Sequence, residues 1–182
     1  MRKGLISALM MTLLLLAGCA RREAKLENEF AAFRESLRTA QSIEARAELS
    51  CDSGAAVSQY GLQLSRTEEE TRITVSEPEL IAGISAVVSG ADARVEYEGL
   101  MLGVGELAGL TPVSALPEML TAMAYGYEEL LWREDDYLAA RLWLDEEIVM
   151  TLWLLEGVPV CAEISEAGQT VMTCRFENWQ MS

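Results

Sequence analysis

Between Ile43 and Asp52 the chain alternates without a break. Ile43, Ala45, Ala47, Leu49 and Cys51 are apolar, and Glu44, Arg46, Glu48, Ser50 and Asp52 are polar. A period of two is the repeat of a strand that buries one face and wets the other. A lone strand has nowhere to bury that face, so the pattern demands partners. They follow at once: Tyr60, Leu62 and Leu64 share one face of a second strand, and Ile73 and Val75 mark a third. Asp52-Ser53-Gly54 and Thr67-Glu68-Glu69-Glu70 supply the turns between them. Pro78 ends the third strand, because proline donates nothing to a ladder. Leu80-Ile81-Ala82-Gly83-Ile84 is apolar and ambiguous. Ile84, Ala86 and Val88 then alternate, and a turn at Gly90-Ala91-Asp92 leads to Ala93, Val95 and Tyr97 against Arg94, Glu96 and Glu98. This is a run of antiparallel hairpins.

The C-terminal third repeats the theme. Tyr137 to Leu144 and Ile148 to Leu155 are expected strands joined by Asp145-Glu146-Glu147, and Val158 to Ile164 pairs with Thr170 to Phe176 across Ser165 to Gln169. Ile148 to Leu155 is apolar on both faces, with Val149 and Trp153 opposite Ile148, Leu152 and Leu154, so something covers each side of the sheet there. In the last hairpin, burying Val158, Val160, Ala162 and Ile164 against Phe176, Cys174, Met172 and Thr170 turns Cys161 outward and Cys174 inward. That register argues against a disulfide between them. A one-residue slip would set the two cysteines opposite each other but would place Arg175 against Val160.

Two stretches carry helical spacing instead. Leu26, Phe30, Phe33 and Leu37 recur at steps of four, three and four among charged residues, an amphipathic helix of about four turns. Later, Ser114 suits an N-cap, Pro117 a first turn, and Leu116, Met119, Leu120, Met123, Tyr127 and Leu130 form one stripe. Core packing is the default account of this Met-rich stripe; contact with an acyl chain is the sharper one. Gly99 to Pro112, with four glycines among Leu and Met residues, is poorly suited to regular structure and reads either as a buried connection or as a flap.

Ahead of this domain, Arg2 and Lys3 precede an uncharged run, Leu5 to Ala17, and then Gly18-Cys19. Thirteen residues are too few to span a bilayer, which needs about 20, and fit the core of a secretory signal. Leu16-Ala17-Gly18-Cys19 resembles the bacterial lipobox. It implies cleavage after residue 18, a diacylglyceryl anchor on Cys19, and attachment on the extracytoplasmic side of the cell membrane or outer membrane. Residues 1–18 are then signal peptide, 19–25 a short tether and 26–182 a single domain. Arg21, Arg22 and Lys25 follow the anchor directly; they either face an anionic leaflet or merely flank the helix start.

Charge and composition narrow the function. In the mature chain 29 acidic residues against 12 basic ones leave a formal charge of −17, which opposes nucleic acid, whose phosphates are bound by Lys and Arg. The chain has no histidine, hence no imidazole base and none of the commonest transition-metal ligands. Cys51, Cys161 and Cys174 remain after Cys19, an odd number. The acidic triplets Glu68-Glu69-Glu70, Glu134-Asp135-Asp136 and Asp145-Glu146-Glu147 lack the alternating layout and bend glycine of a calcium loop, and read as solvated tips. No phosphate loop, catalytic carboxylate pair or thiol dyad stands out, so neither enzyme chemistry nor a cofactor is expected.

The order of helix, antiparallel strands, glycine-rich crossover with a second helix, and closing hairpins resembles the Lol-type (LolA-like) lipoprotein carriers and their relatives among lipid-binding bacterial lipoproteins. The residues that carry the resemblance are Glu77-Pro78 before Leu80-Ile81-Ala82-Gly83-Ile84, Val95-Glu96-Tyr97-Glu98-Gly99, and Phe176-Glu177-Asn178-Trp179. It implies an α+β fold, a curved antiparallel sheet forming an unclosed β-barrel wrapped around amphipathic lid helices. An apolar cavity between sheet and helices would bind a lipid, acyl chain or lipoprotein, lined by Ile84, Leu102, Leu116, Met119, Leu120, Met123, Trp143 and Trp153. The soluble carriers lack an anchor, so a tethered protein fits receipt or local handling of a lipophile better than shuttling. The alternative is an anchored envelope module that docks another protein and holds no small ligand.

Overall fold

The computed structural model describes residues 23–90, 92–103 and 112–182. The expected signal peptide, the lipid-attachment Cys19 and most of the tether lie outside the described residues, as do Ala91 and residues 104–111 of the glycine-rich stretch.

Helix α1 covers residues 23–39. Leu26, Phe30, Phe33 and Leu37 are all buried, so the four-three-four spacing sets the face that packs. Burying each such side chain contributes about 1.5–3 kcal/mol, which an isolated helix of this length lacks. The strands are β1 (Ile43–Asp52), β2 (Val57–Arg66), β3 (Thr71–Glu77), β4 (Ser85–Ser89), β5 (Asp92–Tyr97) and β6 (Leu100–Gly103), with a 3-10 turn at Glu79–Ile81. Helix α2 (Pro112–Tyr125) follows, then β7 (Tyr127–Glu134), β8 (Tyr137–Trp143), β9 (Ile148–Leu155), β10 (Val158–Glu166) and β11 (Gln169–Met181).

Among the described residues all eleven strands form one antiparallel sheet, in the order β6-β5-β4-β3-β2-β1-β11-β10-β9-β8-β7. It consists of two meanders joined at the centre by β1 and β11, with Leu49 opposite Cys174 and Ala47 opposite Phe176. The sheet does not close, since β6 and β7 are its two edges. It does curl. Helix α2 touches β3, β8 and β9, although β3 and β8 stand six positions apart, about 29 Å if the sheet were flat. A helix about 10–12 Å wide reaches both only if the sheet wraps around it. The fold is therefore the expected unclosed barrel with helices against its inner face.

Several expectations are corrected. The second helical stripe stops at Tyr125, and Tyr127 and Leu130 belong to β7. Gly126 is the reason: its N–H bonds the Ala122 carbonyl at 2.8 Å, and a Cβ there would stand 2.6 Å from that oxygen. The helix also starts earlier than Ser114. Pro112 is its first residue, where a missing N–H costs nothing, while Pro117 lies inside. Leu100–Gly103, read as poorly suited to regular structure, is an exposed strand paired with β5.

In the last hairpin the predicted inward face holds for Ala162, Ile164, Met172, Cys174 and Phe176 but not for Val158 and Val160, and the pairs differ by two residues. Ala162 faces Cys174 and Ile164 faces Met172. An irregularity between Pro159 and Cys161 buries Pro159 in place of Val158 and Val160.

Candidate functional site

The inner face of the sheet is apolar from β3 across to β8. Leu62 and Leu64 on β2, Ile73 and Val75 on β3, Leu138, Ala140 and Leu142 on β8, Met150, Leu152 and Leu154 on β9, and Met172, Cys174 and Phe176 on β11 are all buried. They pack with α1 and α2 in one continuous core.

Polar contacts hold α2 in place from its C-terminal end. Arg34 of α1 donates from Nε to the Met123 carbonyl at 3.2 Å and from Nη2 to the Gly126 carbonyl at 2.5 Å. Arg38 donates from Nε to the Ala124 carbonyl at 2.9 Å. The last four carbonyls of a helix have no partner within it, and cations near them also meet the negative end of the helix dipole. The same guanidiniums lie over rings, Arg34 over Phe30 at 4.6 Å and Arg38 over Tyr125 at 5.2 Å. Burial lowers the Arg34 pKa while Glu128 opposes that shift. A third tie, Arg133 to Glu29 at 2.6 Å, fixes α1 to β7.

The sequence-expected lining residues divide into three groups. Leu116, Met119, Leu120 and Met123 come together on the buried side of α2. Leu116, Met119 and Met123 present no accessible surface, so side chains fill the space beside them. Ile84 and Leu102 lie on the inner face but farther toward the β6 edge. Ile84 is half-buried, and Leu102, opposite Val95, is 66% exposed. Trp143 and Trp153 are elsewhere. Trp153 pairs with Ala139 and Cys161, and Trp143 with Val149 and Tyr127. Alternation therefore turns both tryptophans to the outer face, away from Leu152 and Leu142.

The structure adds two residues to the inner face that the sequence reading did not name as lining. Tyr97 and Leu100, opposite each other on β5 and β6, are 41% and 74% exposed and face the same side as Leu102. The apolar inner surface is thus open at the β5–β6 end. Alternation at Ala93, Val95 and Tyr97 was the available signal for one of them. Nothing in the sequence said that this end would be left open.

The outer face is polar in its middle. A groove of about 600 Å³ runs over β1, β2, β3 and β11, lined by Arg46, Glu48, Gln63, Glu77, Arg175 and Glu177 among others. Beside it, Arg72 and Arg94 each bridge both Glu70 and Glu96 at 2.6–3.2 Å, a closed ring of four charges. Arg94 foremost holds the Glu70 carboxyl below its ordinary pKa, and Arg72 foremost does so for Glu96. The ring lies over Val87, which pairs with Arg72 and Arg94 and is fully buried.

The cysteines do not form a chemical site. Cys51, Cys161 and Cys174 are free thiols, and burial pushes all three pKa values up, most strongly for Cys174. A thiol so shifted is a poor nucleophile. Among the described residues no three His, Cys, Asp or Glu side chains are placed to hold a metal ion.

No protein-family model matches the sequence, and no curated protein matches it significantly. Solved structures do share the fold. An uncharacterized conserved protein from Thermus thermophilus aligns at TM-score 0.52 and 9% identity, over 86% of this chain and 87% of that one. A DUF1329 family protein from Desulfovibrio piger aligns at 0.51 and 11%, over 86% and 93%. A candidate outer membrane lipoprotein-sorting protein domain from Vibrio parahaemolyticus aligns at 0.50 and 9%, over 85% and 91%. These likenesses show the fold, an unclosed barrel with helices against its inner face.

Proposed function

We propose that this chain is a membrane-anchored, extracytoplasmic lipoprotein that binds or hands over a lipid, an acyl chain or a lipidated protein between its sheet and helices. One observation carries the reading: the apolar inner face is open at its β5–β6 end, where Tyr97, Leu100 and Leu102 stand exposed. The fold, shared with a candidate lipoprotein-sorting domain, supports it. The anchor would be the diacylglyceryl group on Cys19, which keeps the site near the bilayer of the cell membrane or outer membrane.

In the closed arrangement Leu116, Met119 and Met123 occupy the space beneath α2. An acyl chain would enter along Tyr97, Leu100 and Leu102 and take over their contacts as α2 lifts from β8 and β9. Methionines suit that exchange, since their unbranched side chains repack cheaply. Each CH2 buried contributes about 0.8 kcal/mol, so affinity needs neither bond chemistry nor a cofactor.

Native mass spectrometry of the full-length protein from its membranes, with organic extraction, tests the proposal. The expected result is a co-purifying lipophile that Leu100→Ser with Leu102→Ser reduces. A protein that carries none, and that shows no saturable binding of a fluorescent fatty acid, would overturn it.

A further inference from the structure

The outer face of β7–β10 has no part in the proposed lipid site, yet it is the most aromatic surface of the molecule. Register sets Tyr127, Trp143 and Val149 in one row, Trp132, Ala139, Trp153 and Cys161 in another, and Leu155 opposite Val158. Tyr127, Leu130, Tyr137, Leu155 and Val158 are all exposed. Single exposed apolar side chains are ordinary, but this cluster holds three of the four tryptophans and two of the five tyrosines. Trp and Tyr are the residues that dominate protein-binding energetics.

The cluster is also held in position. Glu134 Oε2 accepts the indole N–H of Trp153 at 2.9 Å and of Trp132 at 3.4 Å, fixing both rings. Ala139, between the two indoles, is fully buried. Side chains already immobilised lose little entropy on binding.

Charge selects among possible occupants. Between Tyr127 and Glu166 stand eleven acidic residues and two arginines. Arg133 is turned inward to Glu29, and Arg141 stands 4.0 Å from Glu129. Asp135, Asp136 and Glu156 fringe one end of the strands, and Asp145, Glu146, Glu147 and Glu166 the other; all are exposed. A second copy would bring an equal fringe against this one, and an anionic leaflet would be repelled.

We infer that the outer face of β7–β10 docks a partner polypeptide through a segment with apolar side chains at its middle and cationic side chains at both ends. The apolar side chains lie on the aromatic rows and the cations reach the acidic ends of the strands. This surface is distinct from the inner face, so each can fail without the other.

The test uses the full chain and a synthetic twelve-residue peptide with a central apolar run containing leucine and three arginines at each end, followed by tryptophan fluorescence and titration calorimetry. Expected is saturable binding with a blue shift, weakened at least tenfold by Leu130→Ser or Tyr127→Ser, whose exposure leaves the fold intact. Leu100→Ser on the inner face should leave it unchanged. Equal binding of oligoarginine, or insensitivity to both outer-face variants, overturns the proposal. So does binding of phosphatidylglycerol vesicles by this face, or a self-association that Leu130→Ser abolishes.

Discussion

At Gly126 the chain changes from helix to strand within one residue, and the spacing of its side chains does not show it. Met123, Tyr127 and Leu130 fit a helical stripe, yet a side chain at position 126 would meet the Ala122 carbonyl. Gly126→Ala is therefore expected to destabilise by about 1–3 kcal/mol, the range for forced overpacking, read as a lower urea midpoint. An unchanged midpoint would mean that the end of α2 shifts at no cost. Trp153 teaches a related lesson. Its alternation with Leu152 and Leu154 already assigns it to the opposite face, so size and hydrophobicity alone were poor grounds for placing it in a lipid site.

Among the elements, α2 depends on α1 for its C-terminal hydrogen bonds. Hydrogen bonds to charged groups contribute about 1.5–3 kcal/mol, and Arg34 and Arg38 make three of them to α2 and Gly126. Arg34→Ala with Arg38→Ala should speed amide exchange in Met119–Tyr125 well beyond any change in β1 or β11. Uniform acceleration throughout the chain would instead mean that the clasp serves global stability. The four-charge ring has a different signature. Glu70 and Glu96 titrate below their ordinary 4.5 in the folded chain. Their stabilisation is thus present above that value and is lost as pH falls through the folded pKa. Glu96→Gln should lower the neutral denaturation midpoint and flatten its decline between pH 5 and 3. A decline as steep as in the parent chain would assign the acid sensitivity to other carboxylates.

Over the whole molecule, the central seam pairs residues that are distant in sequence, as in Ile43 with Met181. Both meanders lean on that seam, whereas β6 and β7 pair on one side only. Hydrogen exchange should accordingly be slowest in β1 and β11 and fastest in β6, with β4 and β9 between them. Slow exchange in β6 would contradict an open β5–β6 end and weaken the proposed route for an acyl chain.

Nine of the eleven described strands and the amphipathic α1 were legible in the sequence because period and turn chemistry are local properties. The outward Cys161 and inward Cys174 could be read for the same reason, since register follows the apolar pattern. Leu116, Met119, Leu120 and Met123 of α2 were likewise legible as one buried stripe. Other features required the folded chain. Arg34 and Arg38 are two surface cations in sequence and become helix caps only when α2 is laid beside α1. Leu102 is apolar in sequence, but its exposure at the β5–β6 end is a property of the folded chain, in which α2 packs on β3, β8 and β9. The outer aromatic rows exist because β7 is a strand and lies next to β8. Alternation determines which side of a strand a residue faces, and only the packing of distant segments decides what, if anything, covers that side.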